Sequence, residues 1–332
     1  MVNEILANSA PAAYAEALWK MPHWVHEEQS RNGPVLTCLQ PTMLTILRPE
    51  QRVIFDPIRR ANPYFHVMEF IWMMAGDNST EWISQFNKGF RNYAEYDGRH
   101  HGAYGHRWRE HFGIDQIMGA IDELSKDPAS RRVVLGMWDP AQDWNGGKKD
   151  LPCNTHIYLR IHKDRLHMTV CNRSNDLIWG MLGSNIVHMT LLQEFLANAL
   201  GVQLGRYHTF TNNLHIYPGM PRFNEIWGSK GCQSLDEYQF NDWNHVPVLG
   251  PEENARNFLD ECWAFIHTPK DKYQSNWLEH VATPMYMEYM RRLGVLPGEK
   301  NLWIPTIQAD DWRRACQLWE TWHGPVTGTS VD

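Results

Sequence analysis

Residues 151–176 read LPCNTHIYLRIHKDRLHMTVCNRSND. The segments 155–162 and 165–171 carry the β-branched and alternating character of strands, and His162-Lys163-Asp164-Arg165 between them predicts a hairpin turn. Cys153 stands just before the first strand and Arg173-Ser174 just after the second. Working outward, 35–47 predicts two short strands, 131–137 a strand that begins with two arginines, and 207–217 a further extended segment. The stretch 63–75 is apolar throughout, with a length that favours a buried helix and a carboxylate, Glu69, in its middle. Helices are also expected over 14–29, 81–93, 114–125 and 186–200, the last stopped by Gly201. A loop rich in Gly, His and Tyr runs on to Trp108. Beyond Gly219 the texture changes to loops and three helical segments, 254–267, 277–292 and 309–322, which read either as an appendage or as helices packed on the main body. The whole reads as one α/β (α+β) domain spanning 1–332, with 219–332 a largely helical extension.

Composition bounds the function. With 332 residues, 43% of them hydrophobic, and with 16 Trp, 12 Phe and 12 Tyr, the chain has enough apolar mass for a true core and too much for disorder. A formal net charge of -7 argues against a protein that coats nucleic acid, while leaving room for a local pocket that binds one small anion. The six cysteines form no CxxC pair, so neither a disulfide framework nor a clustered metal site is expected. The start of the chain lacks the pattern of a secretory signal, and no apolar run approaches the length of a membrane span; a cytoplasmic protein (host cytoplasm, for a viral source) is expected.

Several residues carry candidate chemistry, each with a plainer reading beside it. Cys153 is a nucleophile if it is held as a thiolate by nearby positive charge, and otherwise a small buried residue. Arg173-Ser174 offers a fork of donors beside a hydroxyl, which suits a phosphate monoester; Arg131-Arg132 serves the same anion or faces solvent. Glu69 is an ion-pair partner or a proton carrier. His215 and Tyr217 share one face of an extended strand and suit sugar hydroxyls. Asn185 caps the long helix or, as a carboxamide, pairs with a pyrimidine edge. Trp303, Trp312, Trp319 and Trp322 read as core rather than as a docking stripe. No glycine-rich phosphate loop, HExxH or GxSxG occurs.

Taken in order, these segments resemble the thymidylate synthase and pyrimidine-nucleotide hydroxymethylase family. The match runs from Arg31 to Tyr217 through Glu69 in HVMEFIWMMAGD, Tyr104 and Trp108 in GAYGHRWR, Arg131-Arg132, Leu151-Pro152-Cys153, Arg173-Ser174-Asn175-Asp176, Gly180, Asn185-Ile186 and His215-Ile216-Tyr217. The resemblance implies a mixed twisted sheet flanked by helices, and a homodimer. It implies that Cys153 adds to C6 of a pyrimidine nucleoside monophosphate. Arg31, Arg173 and Ser174 would hold the phosphate together with Arg131 and Arg132 of the partner subunit, the positive charge also depressing the thiol pKa. His215 and Tyr217 would hold the sugar and Asn185 the base. Asp176 and Trp108 would serve 5,10-methylenetetrahydrofolate, and Tyr104 and Glu69 the proton transfers, with no metal, membrane or nucleic acid involved.

Departures from the family pattern bear on the product. Asn154 follows the cysteine in place of histidine, Gly180-Met-Leu-Gly-Ser184 replaces a Gly-Leu-Pro-Phe series with one extra residue, and Asn212-Asn213 stands where Gly-Asp is usual. The synthase's closing carboxyl terminus is unrecognisable in Thr-Gly-Thr-Ser-Val-Asp. A synthase must exclude water until hydride transfer, so these losses imply hydroxymethylation over reductive methylation. Asn185 implies uracil over cytosine, although an amide free to rotate reads either edge, and Asp139 and Asp143 border the cysteine. The contrasting classes are dCMP or CMP hydroxymethylation, thymidylate synthesis, a nucleotide- or RNA-binding regulator that needs no thiol, and a dimerisation module.

Overall fold

In the computed structural model the residues described are 2–144, 147–232, 236–270 and 272–323. Two sheets organise the chain. Strands β1 (Asn3–Ala7), β4 (Thr42–Ile46), β5 (Val134–Gly136), β6 (Asn154–His162), β7 (Arg165–Asn172) and β9 (Gln203–Thr211) form the larger, in the order β1-β4-β9-β7-β6-β5. The smaller holds β2 (Val25–Ser30), β3 (Gly33–Cys38), β8 (Asn175–Asp176) and β10 (Leu214–Ile216), in the order β2-β3-β10-β8. The large sheet is mixed: β1 and β4 are parallel, as are β7 and β9, and the remaining pairs are antiparallel.

The expected hairpin is β6–β7, with Ile157 opposite Val170 and Leu159 opposite Met168. Lys163 and Asp164 both take positive φ, 49° and 56°, the two-residue turn whose twist matches its strands. A bulge between Asn154 and His156 interrupts the pairing beside Cys153.

Ile157, Leu159, Leu166, Met168, Val170 and Tyr207 are buried on one face of this sheet, where helix α4 (Asn185–Ala199) crosses β7 and β9 and meets helix α2 (Pro63–Met74). Asn62 caps α2 by accepting from the Phe65 amide at 3.1 Å, and Pro63 supplies a preset φ at its first position. All of α2 is buried except half-buried Glu69. Each large apolar side chain there contributes roughly 1.5–3 kcal/mol by leaving water. The opposite face of the large sheet is open: Tyr158, Val134 and Leu6 are exposed on it.

The C-terminal helices share this core. Helices α5 (Ala255–His267), α6 (Thr283–Arg292) and α7 (Asp310–His323) all rest on α2. Trp277 meets Phe70 edge-on at 5.7 Å and Trp319 meets Tyr64 at 5.3 Å. Trp312 and Trp319 are buried, Trp303 and Trp322 half-buried.

Several local expectations are corrected. The helix expected over 14–29 is α1 (Ala10–Lys20), started by the Ser9 cap and followed by a short turn and strand β2. Over 81–93 only Thr80–Ile83 and a 3-10 turn at Lys88–Asn92 are helical, because the Asn87 side chain caps the Gly89 amide and restarts the chain. The presumed loop before Trp108 is helical from Tyr104 to His111, so Tyr104 and Trp108 lie one turn apart. The strand beginning with two arginines is β5 alone; Arg131 and Arg132 precede it, beyond the helix α3 (Gln116–Lys126). The tail 327–332 lies outside the described residues.

Candidate active site

Cys153 sits between a turn and the first residue of β6, and Arg173 between β7 and β8. The hairpin brings them together. Arg173 is anchored by the segment that carries the cysteine: its amide donates to the Cys153 carbonyl at 3.0 Å, Nε to the Pro152 carbonyl at 3.0 Å and Nη2 to the Leu151 carbonyl at 3.0 Å. Nη2 also stands 3.7 Å from the thiol Sγ. A fork held by two carbonyl contacts, on a backbone tied by a third, is preorganised toward the sulfur and toward any anion placed beside it.

The expected net depression of the thiol pKa is not found. Burial is the largest influence and pushes Cys153 upward; Arg173 and Arg31 pull it down, and the carboxylate of Asp150 pushes it up again. The guanidinium groups moderate the desolvation without overcoming it. Cys153 is a thiol at neutral pH in the free protein.

Tyr104 Oη accepts from the Asn154 amide at 3.3 Å, and burial holds its phenol well above its ordinary pKa, hence protonated. Glu69 projects from α2 with a side chain 12% exposed; burial pushes its pKa up to about 8 against the opposing pull of the Ser184 hydroxyl. His188 Nε2 lies 3.4 Å from Glu69 Oε2, yet this is no ion pair. Burial drives His188 down to about 3, and its Nε2 lies 3.1 Å from the His66 carbonyl, as a donor in the neutral ring. The plainer reading of Glu69 as an ion-pair partner is therefore set aside.

A cavity of about 310 Å³ opens next to this cluster, lined by Glu28, Gln29, Ser30, Val35, Thr37, Ser174, Asn213, His215 and Tyr217. His215 Nδ1 lies 3.1 Å from Asn213 Oδ1 and 3.5 Å from Ser174 Oγ, and its ring meets Tyr217 edge-on at 5.1 Å. Burial lowers the His215 pKa, with Asp176 opposing. Arg31 is exposed at the β2–β3 turn, next to cavity-lining Ser30.

Asp176 caps the 177–184 segment, accepting from the Ile178 amide at 2.8 Å and the Trp179 amide at 2.6 Å. Its Oδ2 is buried with no hydrogen-bond partner among the described residues, beside Trp179, which is 51% exposed. The segment breaks at Leu182 and Gly183, where a Cβ on Gly183 would lie 2.3 Å from the Ile178 carbonyl oxygen. Asn185 does not cap α4. Its backbone is already helical, and its Nδ2 donates to Asn175 Oδ1 at 3.1 Å.

Four expected site residues stand apart, as do the two carboxylates expected near the cysteine. Trp108 is fully buried and backs Tyr104, with ring centroids 6.5 Å apart, rather than lining the cavity. Arg131 and Arg132 are exposed, and Arg132 pairs with Glu123 of its own chain at 2.7 Å. Asn154 is wholly buried, and neither side-chain amide atom has a hydrogen-bond partner among the described residues. Asp139 and Asp143 are taken up by His111 and by His101 with Arg107.

The sequence reading missed Asp150, and Ser30 and Thr37 on the cavity wall, and named Asn175, Ser184 and Asn213 without giving them a role. Asp150 immediately precedes Leu-Pro-Cys and could have been flagged as a carboxylate next to a nucleophile; the others signal nothing until the strands pair. A larger cavity of about 520 Å³, lined in part by Arg48, Glu194 and His245, does not include these residues. Among the described residues no group of His, Cys, Asp or Glu could hold a metal ion, and no helix is long and apolar enough to cross a membrane.

Residues 53–261 match the family described as thymidylate synthase. A deoxyuridylate hydroxymethyltransferase of Pseudomonas phage M6 is 43% identical over 291 residues, covering 85% of this chain and 82% of that one. A protein of the same name from Bacillus phage SP01 is 30% identical over 54% of this chain, which spans 50% of its length. A putative thymidylate synthase of Methanothermobacter thermautotrophicus is 26% identical over 65% of this chain and 94% of its own. Together with a cysteine set beside an anchored arginine, these matches define a pyrimidine-nucleotide one-carbon transferase. The chain belongs to the thymidylate synthase family.

Proposed function

We propose that the protein converts dUMP to its 5-hydroxymethyl derivative, with 5,10-methylenetetrahydrofolate as one-carbon donor and water as the source of the hydroxyl. The observation that carries this reading is the Cys153 thiol 3.7 Å from the anchored guanidinium of Arg173, next to a cavity walled by Ser174, His215 and Tyr217. The similarity to the phage deoxyuridylate hydroxymethyltransferases supports the same reaction.

Arg173, Ser174 and Arg31 hold the phosphate, His215 and Tyr217 the sugar, and Asn185 the edge of the base. The folate fits beside Asp176, whose unpartnered carboxylate oxygen suits the donor face of a pterin, with the exposed Trp179 ring adjacent. Bound there, it supplies a one-carbon unit at the oxidation level of formaldehyde. Cys153 Sγ bonds to C6 of the pyrimidine as its proton passes to solvent, which returns one when the thiol is restored, and the C5–C6 electron pair becomes nucleophilic at C5. Tyr104, its phenol pKa raised by burial, orients the proton transfer at C5. C5 bonds to the one-carbon unit and gives up its own proton, the bond from that carbon to the folate nitrogen breaks and tetrahydrofolate leaves, so that C5 carries an exocyclic methylene to which the oxygen of a water adds. Glu69, beside the Ser184 hydroxyl, takes the water's proton when it is ionised. The electron pair returns through C5, the C6–S bond breaks, and the thiol is restored. Asn154, next to the cysteine, tunes this water-facing region, and Trp108 positions Tyr104 from behind.

We further infer a cytoplasmic homodimer formed through the open face of the large sheet, with Arg131 and Arg132 of each chain completing the other's phosphate site. Residues 219–332 belong to the same catalytic unit. The test is mass spectrometry of the product from dUMP: an added CH2O supports hydroxymethylation, whereas an added CH2 with release of dihydrofolate overturns it. Covalent capture of Cys153 by a 5-fluorinated dUMP analogue with the folate separates the enzyme from a nucleotide-binding regulator.

A further inference from the structure

A carboxamide beside a pyrimidine has two faces to offer, and which one it shows decides the base it accepts. Uracil presents N3–H as donor and O4 as acceptor; cytosine reverses both. An Asn that is free to turn end for end therefore reads either base. Asn185 is not free in this way. Its Nδ2 donates to Oδ1 of Asn175 at 3.1 Å, which uses one of the two amide hydrogens. The second hydrogen and the carbonyl oxygen are left for a ligand, the donor–acceptor pair that matches uracil. Turning the amide over would set oxygen against oxygen.

Asn175 is itself held. It is only 3% exposed, and its backbone amide donates to the Asn213 carbonyl at 2.9 Å within the small sheet. Its Oδ1 occupies the space left by the missing side chain of Gly180, where a Cβ would fall 2.1 Å from that oxygen and 3.4 Å from Asn185 Nδ2. Gly180, Asn175 and Asn185 thus form a stack in which each position fixes the next.

We propose that Asn175 is a specificity-determining positioning residue: it locks the Asn185 amide in the orientation that accepts uracil and refuses cytosine. This rests on Asn185 reading the base. The lock acts by removing a rotamer rather than by touching the nucleotide, and leaving the buried Asn175 carbonyl unsatisfied and facing another oxygen on reversal is what gives it force.

The experiment compares kcat/KM for dUMP and dCMP in the full-length protein. Asn175→Ala releases the amide, and the dUMP preference is expected to fall at least tenfold, chiefly through a gain with dCMP. Asn175→Asp, assayed at pH 8 where the carboxylate only accepts, keeps the lock and excludes both amides turning over together; the preference is retained. An unchanged preference in Asn175→Ala overturns the proposal, as does a lost preference in Asn175→Asp. The aspartate variant decides alone if the alanine variant fails to fold. Asn185→Ala separates the two levels: if it leaves base choice untouched, the reading of Asn185 fails. If it erases base choice while Asn175→Ala does not, only the lock fails.

Discussion

At the scale of single residues, the site is built against its own desolvation. Glu69 is a carboxyl in an apolar helix, raised to about 8, and two consequences have definite signs. The folded state binds a proton that the unfolded chain has released between about pH 4.5 and 8, so this group's contribution to stability falls as pH rises through that window. Glu69→Gln should therefore raise the melting temperature at pH 9 relative to the parent, by the equivalent of a few kcal/mol, and change little at pH 4, as calorimetry at the two pH values would show. The same substitution should lower kcat by roughly 10²–10⁴ and abolish the limb of the pH–rate profile near 8. Asp150 acts on Cys153 by charge alone, and its carboxylate raises the thiol pKa. Asp150→Asn should shift the pH midpoint of iodoacetamide alkylation at Cys153 downward. An unmoved or higher midpoint would show that the negative charge does not reach the sulfur. Cys153, Arg173 and His215 were legible in the sequence because their chemistry is local to a motif. Asp150 and Asn175 were not: they are near in sequence to the groups they act on, Cys153 and Asn185, but which way their side chains turn is set only when the chain folds.

Elements decide how those residues meet. The β6–β7 hairpin could be read from period-two alternation and a four-residue turn, and it alone places Cys153 beside Arg173. The helix carrying Tyr104 escaped the sequence reading because Gly102, Gly105 and three histidines look like a loop. Gly105 is there for contact rather than flexibility: a Cβ would lie 2.0 Å from the Met73 carbonyl oxygen of α2. Gly105→Ala should force this helix off α2, costing about 3 kcal/mol in chemical denaturation and lowering activity through a displaced Tyr104. The extension is fastened at a different element, where Glu194 on α4 is buried between Arg52 and His245, both at 2.5 Å. Arg52 and His245 hold Glu194 down to about 2, and Glu194 in turn raises His245. The Glu194 contribution is present above about pH 4.5 and is lost as pH falls toward 2. The His245 contribution is full below about 6.5 and fades as pH rises through its elevated folded value. Glu194→Gln leaves Arg52 buried without its partner and should cost about 3–5 kcal/mol in equilibrium unfolding at pH 7, a loss that should shrink near pH 2.

For the whole molecule, the architecture leaves one question that a single chain does not answer: what covers the open face of the large sheet. Tyr158 and Val134 are exposed there on adjacent strands, and Arg131 and Arg132 sit just before β5 at the same edge, away from their own chain's cavity. The proposed two-fold dimer, in which each chain would lend its arginines across the interface, would account together for a sheet face with exposed aromatic and aliphatic side chains and for arginines that stand away from their own chain's cavity. Patterning within strands shows which face is apolar but not whether a second copy covers it, which is why the dimer had to come from resemblance. The arrangement predicts complementation. Cys153→Ser and Arg131→Ala proteins should each be nearly inactive alone. Unfolded together and refolded as an equal mixture, half of the dimers should pair one of each. Each such dimer regains one complete site, the intact cysteine of one chain served by the intact arginine of the other. Activity should return to about a quarter of the parent value by this two-fold pairing. Sites contained within single chains would return no more than the sum of the separate variants, and Tyr158→Glu would then leave both activity and sedimentation unchanged.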